Sequence, residues 1–162
     1  MIGNRGYATF IRDWVRQQQN LFGKFGTPRI APEGWTRLGE GCYRIAYLSP
    51  DGVVYKVQLS GGYSYQTNEG EYRKYNNLRI AYRMPKGARF PLMCNFRIEG
   101  EDTVNAMDMV VPTLNKYEGD DRHELIATWS SLAWTMQLGD AHHANVAVDE
   151  ARKLVVPIDL GD

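Results

Sequence analysis

The sequence has little cysteine, no excess of charge of either sign and no long apolar run. Its two cysteines, Cys42 and Cys94, form no C-x-x-C pair, which argues against a disulfide framework or a zinc site and predicts free thiols in a reducing compartment. The formal net charge is +0, so no overall field favours a nucleic acid or an anionic membrane as partner. Because the chain has neither a membrane-length apolar run nor the apolar core of a signal peptide near Met1, we expect a cytoplasmic protein.

The length of 162 residues suits one domain with a buried core. Near the N-terminus, apolar residues recur at helical spacing over 7–21, which predicts an amphipathic helix that packs on the rest of the chain. Binding a partner protein is the alternative role for this helix. A loop rich in glycine and proline follows over 23–34. We therefore expect residues 1–34 to form an N-terminal helix and a linker.

Residues 35–57 predict three strands, because short apolar runs are separated by turn residues. A loop that contains Gly39 and Gly41 joins the first two strands, and the turn at 49–52 joins the last two. Glycines at the tip of such a loop let backbone amides approach phosphate oxygens. An ordinary turn explains the same glycines equally well.

Lys56 is the one charged residue inside the third apolar strand. Burying it is costly without an anionic partner, whereas strict alternation along the strand would send it to solvent. A helix predicted over 67–80 carries Glu71 on its apolar face, so we expect an ion pair between Lys56 and Glu71. Two alternatives stay open: Asn68 and Glu71 also fit a helix-capping box, and Glu69 is a second carboxylate that could pair with the lysine.

The middle of the chain predicts two more strands, a linker and a long helix. The strands cover 94–98 and 104–111, and residues 112–121 look like a polar linker. Apolar residues over 121–137 then recur at helical spacing and predict a buried stripe, which Trp134 widens.

The last part of the sequence reads D-x-H-x-x-N from Asp140 to Asn145, followed by a predicted hairpin of 146–148 and 154–158 and then by Asp159. We expect these three oxygen-bearing side chains to meet at one end of the hairpin. Magnesium prefers such oxygen ligands, and phosphoryl transfer needs a carboxylate that orients a hydroxyl. Asp and Asn are also common beside turns for local reasons, which is the alternative explanation.

The order of these features resembles the protein-kinase-like superfamily over residues 35–162: glycine loop, strand lysine, helix glutamate, hinge-like strand, long helix, D-x-H-x-x-N and I-D-x-G. The resemblance implies an α+β, protein-kinase-like fold. It has a five-stranded antiparallel N-lobe with one helix over 35–111, and a strongly truncated C-lobe with the catalytic loop and metal-binding motif over 112–162. It also implies ATP and Mg²⁺ as cofactors.

The resemblance assigns roles to particular residues. In this family the first Asp of the motif accepts the proton of the substrate hydroxyl, and the strand lysine holds phosphates while it pairs with the helix glutamate. The implied catalytic residues are Asp140, Lys56, Asn145 and Glu71, and the implied metal ligands are Asn145 and Asp159. The implied nucleotide contacts are Gly39, Gly41, Lys56 and the backbone of Asp108 and Val110, which follow the gatekeeper-like Met107.

Several residues depart from the family pattern. Arg44 replaces the third glycine of G-x-G-x-x-G, and Gly139 stands where regulated kinases carry an arginine. His142 is typical of the aminoglycoside and choline kinase-like branch, and the sequence also looks like the small serine/threonine kinases that some podovirus-type bacteriophages make. The sequence ends three residues after Asp159, where kinases normally continue with an activation segment and further helices.

Three hypotheses follow. The first is a minimal phage-type serine/threonine kinase that acts on protein substrates, including host proteins, in the cytoplasm (the host cytoplasm if the chain is phage-encoded). The second, which His142 motivates, is a small-molecule kinase of the aminoglycoside or choline kinase type. The third is a catalytically inactive kinase-like module that binds and regulates a host protein. Apolar surface left by a short C-terminal half would also favour a homodimer.

Overall fold

The computed structural model describes residues 3–22, 28–41, 43–59, 68–81, 87–98 and 103–160. These residues form an α+β protein with three α-helices, a five-stranded antiparallel sheet and a two-stranded hairpin, which confirms the predicted fold class at this level. The chain divides into two compact units, of which the first is Met1–Tyr72 with Leu92–Met109 and the second is Arg73–Pro91 with Val110–Asp162. Within the described ranges no helix is both long enough and apolar enough to cross a membrane.

The first unit is built on the five-stranded sheet. Its elements are helix α1 (Arg5–Phe22) and strands β1 (Thr36–Glu40), β2 (Arg44–Leu48), β3 (Val53–Gln58), β4 (Met93–Phe96) and β5 (Val104–Asp108). The strands lie in the order β1-β2-β3-β5-β4, so β3 is in the middle. The predicted turn between β2 and β3 is present: Gly52 has a φ of 81° and donates its N–H to the carbonyl of Ser49 at 3.0 Å. A positive φ at this position suits glycine because it has no Cβ.

Helix α1 covers one face of this sheet. Its residues Ala8, Ile11 and Val15 are fully buried and share one apolar core with Tyr55 and Val57 of β3. The spacing of three and four residues along the helix produces this single apolar face. The predicted packing role of the N-terminal helix is therefore confirmed. The central four residues of β3, which lies beneath this helix, are all buried.

Helix α2 (Asn68–Ala81) starts in the first unit and supplies its later residues to the second. The other elements of the second unit are a 3₁₀ turn (Leu114–Lys116), helix α3 (Arg122–Thr135), a second 3₁₀ turn (His143–Asn145), and strands β6 (Val146–Asp149) and β7 (Leu154–Pro157). The two strands pair antiparallel, from Val146 opposite Pro157 to Asp149 opposite Leu154, as the sequence predicts for a hairpin.

Two sequence expectations about the second unit are wrong. The segment 112–121 is not a purely polar linker, because Leu114 and Tyr117 are buried and Thr113 bridges to Ala147 of β6. Trp134 does not widen the buried stripe of α3 but is 86% exposed. Trp134 lies five positions after the buried Trp129, and at 3.6 residues per turn that spacing points the two rings in very different directions.

The two tryptophans of α3 give a matched test of the packing. Trp129 is 1% exposed and donates its indole N–H to the carbonyl of Ala141 at 2.9 Å. We expect Trp129→Ala to lower the free energy of unfolding by about 3–5 kcal/mol, since it leaves a large cavity. Trp134→Ala should change it by less than about 0.5 kcal/mol. Urea unfolding of both variants measures the difference, and equal losses would contradict the described packing of α3.

Candidate functional site

Lys56 lies at the centre of the sheet. In β3 it pairs with Ala46 of β2 on one side and with Asn105 of β5 on the other. Tyr55 lies on the face of the sheet that α1 covers. Because side chains alternate along a strand, Lys56 points to the opposite face. Lys56 is nevertheless only 8% exposed, so the alternative in which alternation sends it to solvent is wrong.

Glu71 is the partner that makes this burial tolerable. Its Oε1 lies 2.7 Å from Nζ of Lys56, and the glutamate side chain is 2% exposed. The predicted ion pair is confirmed.

The alternative capping box is wrong, and Glu69 lies in a surface ion pair. A capping box would require Glu71 to accept the backbone N–H of Asn68, but that N–H donates to Oε1 of Gln58 on β3 at 3.1 Å. Glu69, the other candidate partner of the lysine, forms a surface ion pair with Arg97 at 3.2 Å. The side chain of Gln58 on β3 therefore caps the first turn of α2, and the Glu71 carboxylate pairs with cationic side chains instead.

Lys56 is not the only donor to Glu71. Arg44, the first residue of β2, donates through a guanidinium N–H to Oε2 of the same carboxylate, and the side-chain amide of Asn105 donates to Oε2 at 3.3 Å. Asn105 also donates to the carbonyl of Asn68 at 2.8 Å, and Asn68 donates to the carbonyl of Lys56 at 2.9 Å. These residues are called the Glu71 cluster below: Lys56, Arg44, Glu71, Asn68 and Asn105.

Sequence reasoning missed part of this cluster. It treated Arg44 only as a departure from the glycine pattern, and it did not single out Asn105. A signal for Asn105 exists: a lone amide between Val104 and Ala106 in an apolar strand needs a buried hydrogen-bond partner. Arg44 carries no such signal, because its partner is distant in the sequence.

The expectation that a loop holds both glycines is wrong for Gly39, which lies inside β1 and pairs with Ala46 of β2, whereas Gly41 follows the strand. A Cβ added to Gly39 or Gly41 would meet no atom within 4 Å, and neither residue has a left-handed φ. Packing of the described residues therefore does not require glycine at either position. The N–H of Gly41 donates to the carbonyl of Arg44 at 2.8 Å, which closes the loop onto β2.

The predicted adenine contacts lie at the end of β5 and just beyond it. Asp108 ends the strand, donates its backbone N–H to the carbonyl of Leu92 at 3.1 Å and accepts the Leu92 N–H on its own carboxylate at 2.9 Å. Met107, the gatekeeper-like residue, is buried. Asp108 belongs to the first unit and Val110 to the second.

In the second unit, Asp140 and Asn145 are brought together by the loop before β6. The side-chain amide of Asn145 donates to the backbone carbonyl of Asp140 at 3.0 Å and to its Oδ2 at 3.1 Å. Nε2 of His142 lies 3.1 Å from Oδ1 of Asp140. Both carboxylate oxygens are thus held, while 48% of the Asp140 side chain remains exposed. The indole of Trp129 anchors the same loop to α3 through Ala141.

Asp159 is tied to this loop through the backbone. The carbonyl of Asn145 accepts the N–H of Ile158 at 3.0 Å and the N–H of Asp159 at 3.3 Å. The hairpin of β6 and β7 produces this contact, because its antiparallel pairing returns the chain to the point where β6 begins. The structure thus brings Asp140 and Asn145 together and places the backbone of Asp159 beside Asn145, while the meeting of all three side chains stays a prediction. Gly161 of the I-D-x-G motif lies outside the described residues.

The donors in this loop do not form a complete metal site by themselves. In the part of the chain that the structure describes, no group of three or more His, Cys, Asp or Glu side chains could hold a metal ion. A magnesium ion takes six oxygen ligands and usually keeps several waters or binds substrate phosphates. Asn145 and Asp159 would therefore need oxygens from a bound nucleotide or from water to complete such a site.

No protein-family model and no curated protein matches this sequence. The Glu71 cluster in the first unit and the Asp140 loop in the second are the two features that bear on function.

The shared carboxylate of Glu71 predicts an unequal response to two neighbouring substitutions. Glu71→Gln leaves Lys56 and Arg44 without their common carboxylate in a buried place, and we expect it to lower the free energy of unfolding by about 3–5 kcal/mol. Glu69→Gln weakens an exposed ion pair with Arg97 and should cost less than about 1 kcal/mol. Urea unfolding measures both variants, which change the same residue type on the same helix. Similar losses would contradict the burial and sharing of the Glu71 carboxylate.

Proposed function

We propose that this chain is an ATP- and Mg²⁺-dependent phosphotransferase, a minimal serine/threonine protein kinase. The observation that carries the proposal is the buried pair of Lys56 and Glu71 in the middle of the sheet. A buried ion pair is a weak source of stability compared with apolar residues of the same volume. Folding alone therefore gives little reason to keep a lysine here, whereas a reaction that needs a fixed cation gives a direct one.

The arrangement of elements supports a protein-kinase-like fold. The central strand β3 carries the lysine, and helix α2, which lies between β3 and β4 in the sequence, carries its glutamate partner. In the second unit a helix is followed by a loop with Asp140 and Asn145, then by a hairpin, then by Asp159. This is the order that the resemblance implies for the catalytic loop and the metal-binding motif.

In the proposed reaction, Lys56 and the glycines of the first unit bind the phosphates of the nucleotide. Lys56 contacts the phosphates, and Glu71 fixes the position of its ammonium group. The open space above Gly39 and Gly41 is consistent with close approach of a phosphate to the loop backbone. The backbone at Asp108 and Val110 is the proposed contact of the adenine ring.

The second unit supplies the groups for metal binding and proton transfer. Asn145 and Asp159 would hold Mg²⁺, and their amide and carboxylate oxygens are the hard donors that this ion prefers. The Asn145 amide nitrogen is directed at Asp140, so its Oδ1 is the atom to present to an ion. When bound, Mg²⁺ neutralises charge on the β- and γ-phosphates.

Asp140 is the proposed acceptor of the substrate proton. The substrate hydroxyl oxygen forms a bond to the γ-phosphorus while the bond from phosphorus to the ADP oxygen breaks, and the hydroxyl proton passes to the Asp140 carboxylate. That carboxylate is half-exposed, so a substrate can reach it, and both of its oxygens are oriented by Asn145 and His142. Positioning of this kind supplies most of the catalysis in phosphoryl transfer.

A small-molecule kinase is the second candidate, and one observation favours it. His142, the residue typical of the aminoglycoside and choline kinase-like branch, contacts the proposed base directly. Transfer that occurs only to hydroxylated small molecules, and never to protein, would select this candidate.

Four variants test the proposed function. We expect Asp140→Ala to slow transfer of labelled γ-phosphate by roughly 10²- to 10⁴-fold while nucleotide binding persists, since it removes a general base. Lys56→Ala should mainly slow transfer, and Asp159→Ala should lose metal-dependent nucleotide binding and transfer together. Glu150→Gln removes an exposed carboxylate in the β6–β7 turn and serves as the matched control. Chelation of magnesium by EDTA should abolish transfer by the unmodified chain.

The outcomes separate the three hypotheses. Label on protein with the unmodified chain, and none with Asp140→Ala, supports the protein kinase. Equal activity of Asp140→Ala and the unmodified chain contradicts the assignment of the base. Absence of any nucleotide binding contradicts both kinase hypotheses and favours a non-catalytic binding module.

A further inference from the structure

We propose that Arg44 is a positioning residue, which fixes the Glu71 carboxylate so that one of its oxygens is always presented to Lys56. The inference rests on the proposed function, because it explains how Lys56 is held for the phosphates of ATP. It gives a role to the residue that otherwise looks only like a defect in the glycine loop.

The geometry divides the carboxylate between its donors. Lys56 binds Oε1 of Glu71, whereas Arg44 and Asn105 both bind Oε2. The terminal torsion of a glutamate is broad and roughly two-fold, so a carboxylate with one partner can turn easily. Donors on both oxygens remove that freedom. Arg44 thus acts on Lys56 through Glu71 and needs no contact with the nucleotide.

The surroundings of Arg44 suit this role. Its side chain is 12% exposed and that of Glu71 is 2% exposed, so their attraction is little screened by solvent salt. A guanidinium stays charged and presents its N–H groups in a rigid plane, which an ammonium group does not. A glycine at position 44, as in the family pattern, would leave only Asn105 among the described donors on Oε2.

Arg44 also stands at a junction of elements. Its backbone pairs with Gln58 of β3, and the Gln58 side chain accepts the N–H of Asn68, the first residue of α2. The arginine side chain then reaches Glu71 one turn further along α2. Polar contacts therefore join the start of β2, the end of β3 and the first turn of α2. Arg44 is the one cationic residue of β2 and takes part in these contacts.

The experiment compares three substitutions at position 44 with one control. The test variants are Arg44→Met, Arg44→Lys and Arg44→Gly, and the control is Arg97→Met, which removes an exposed arginine that also pairs with a glutamate of α2. Two quantities are measured on each full-length chain. The first is kcat and KM for ATP in phosphate transfer. The second is the rate at which acetic anhydride modifies Lys56, read by peptide mass spectrometry, and it requires no enzymatic activity.

We expect Arg44→Met to lower kcat by roughly ten- to a hundredfold with little change in KM, because misplacement of a positioned group acts mainly on the transition state. Lys56 should be acetylated several times faster in this variant than in Arg97→Met. Arg44→Lys, which keeps the charge, should restore part of both properties. A purely structural role would not give this split between kcat and KM or rescue by the conservative variant.

Other results would overturn the inference. A wild-type kcat together with unchanged Lys56 acetylation in Arg44→Met would overturn it. Faster transfer by Arg44→Gly than by the unmodified chain would also overturn it. If Arg44→Met fails to fold, as judged by circular dichroism, Arg44→Lys decides by the same two readouts: impaired but measurable kcat supports the inference, and wild-type behaviour overturns it. If the unmodified chain transfers no phosphate at all, the proposed function fails, and the acetylation rates still decide whether Arg44 positions Lys56.

Discussion

The first unit depends on one buried carboxylate. Glu71 lies almost out of contact with water, and donors from three strands surround it: Lys56 of β3, Arg44 of β2 and Asn105 of β5. Such a group is expensive to bury unless every lone pair finds a partner. Helix α1 adds to this constraint, because it covers the opposite face of the sheet and leaves the central strand buried on both sides.

The second unit organises its polar residues around Asn145, through both its side chain and its backbone carbonyl. Asn145 directs its side-chain amide to Asp140 and its carbonyl to the amides of Ile158 and Asp159. One residue thereby holds the loop and the end of the hairpin together. The carboxylate of Asp140 remains partly exposed. The buried Trp129 supports the loop from α3.

Much of this arrangement could be predicted from local pattern, and the rest depended on contacts that no local pattern encodes. The strands, the amphipathic helices and the final hairpin follow from periodicity and turn residues. The pair of Lys56 and Glu71 could be predicted because a lone charge in an apolar strand needs a partner. Arg44 reaches Glu71 across 27 positions of the sequence, so its role could not be inferred from its neighbours. Trp134 was misjudged because an apolar residue beside a buried stripe looks like part of that stripe, although the helical angle turns it to solvent.

The measurement that tests the central claim most directly is a crystal structure of the chain with a non-hydrolysable ATP analogue and Mn²⁺, located by its anomalous scattering in place of Mg²⁺. The proposed function predicts a phosphate oxygen within hydrogen-bond distance of Lys56 Nζ. It also predicts a metal ion coordinated by Asp159, by Asn145 Oδ1 and by oxygens of the same phosphates. A nucleotide bound elsewhere, or a metal ion that ignores Asp159, would contradict the claim that the Glu71 cluster and the Asp140 loop serve one phosphotransferase reaction.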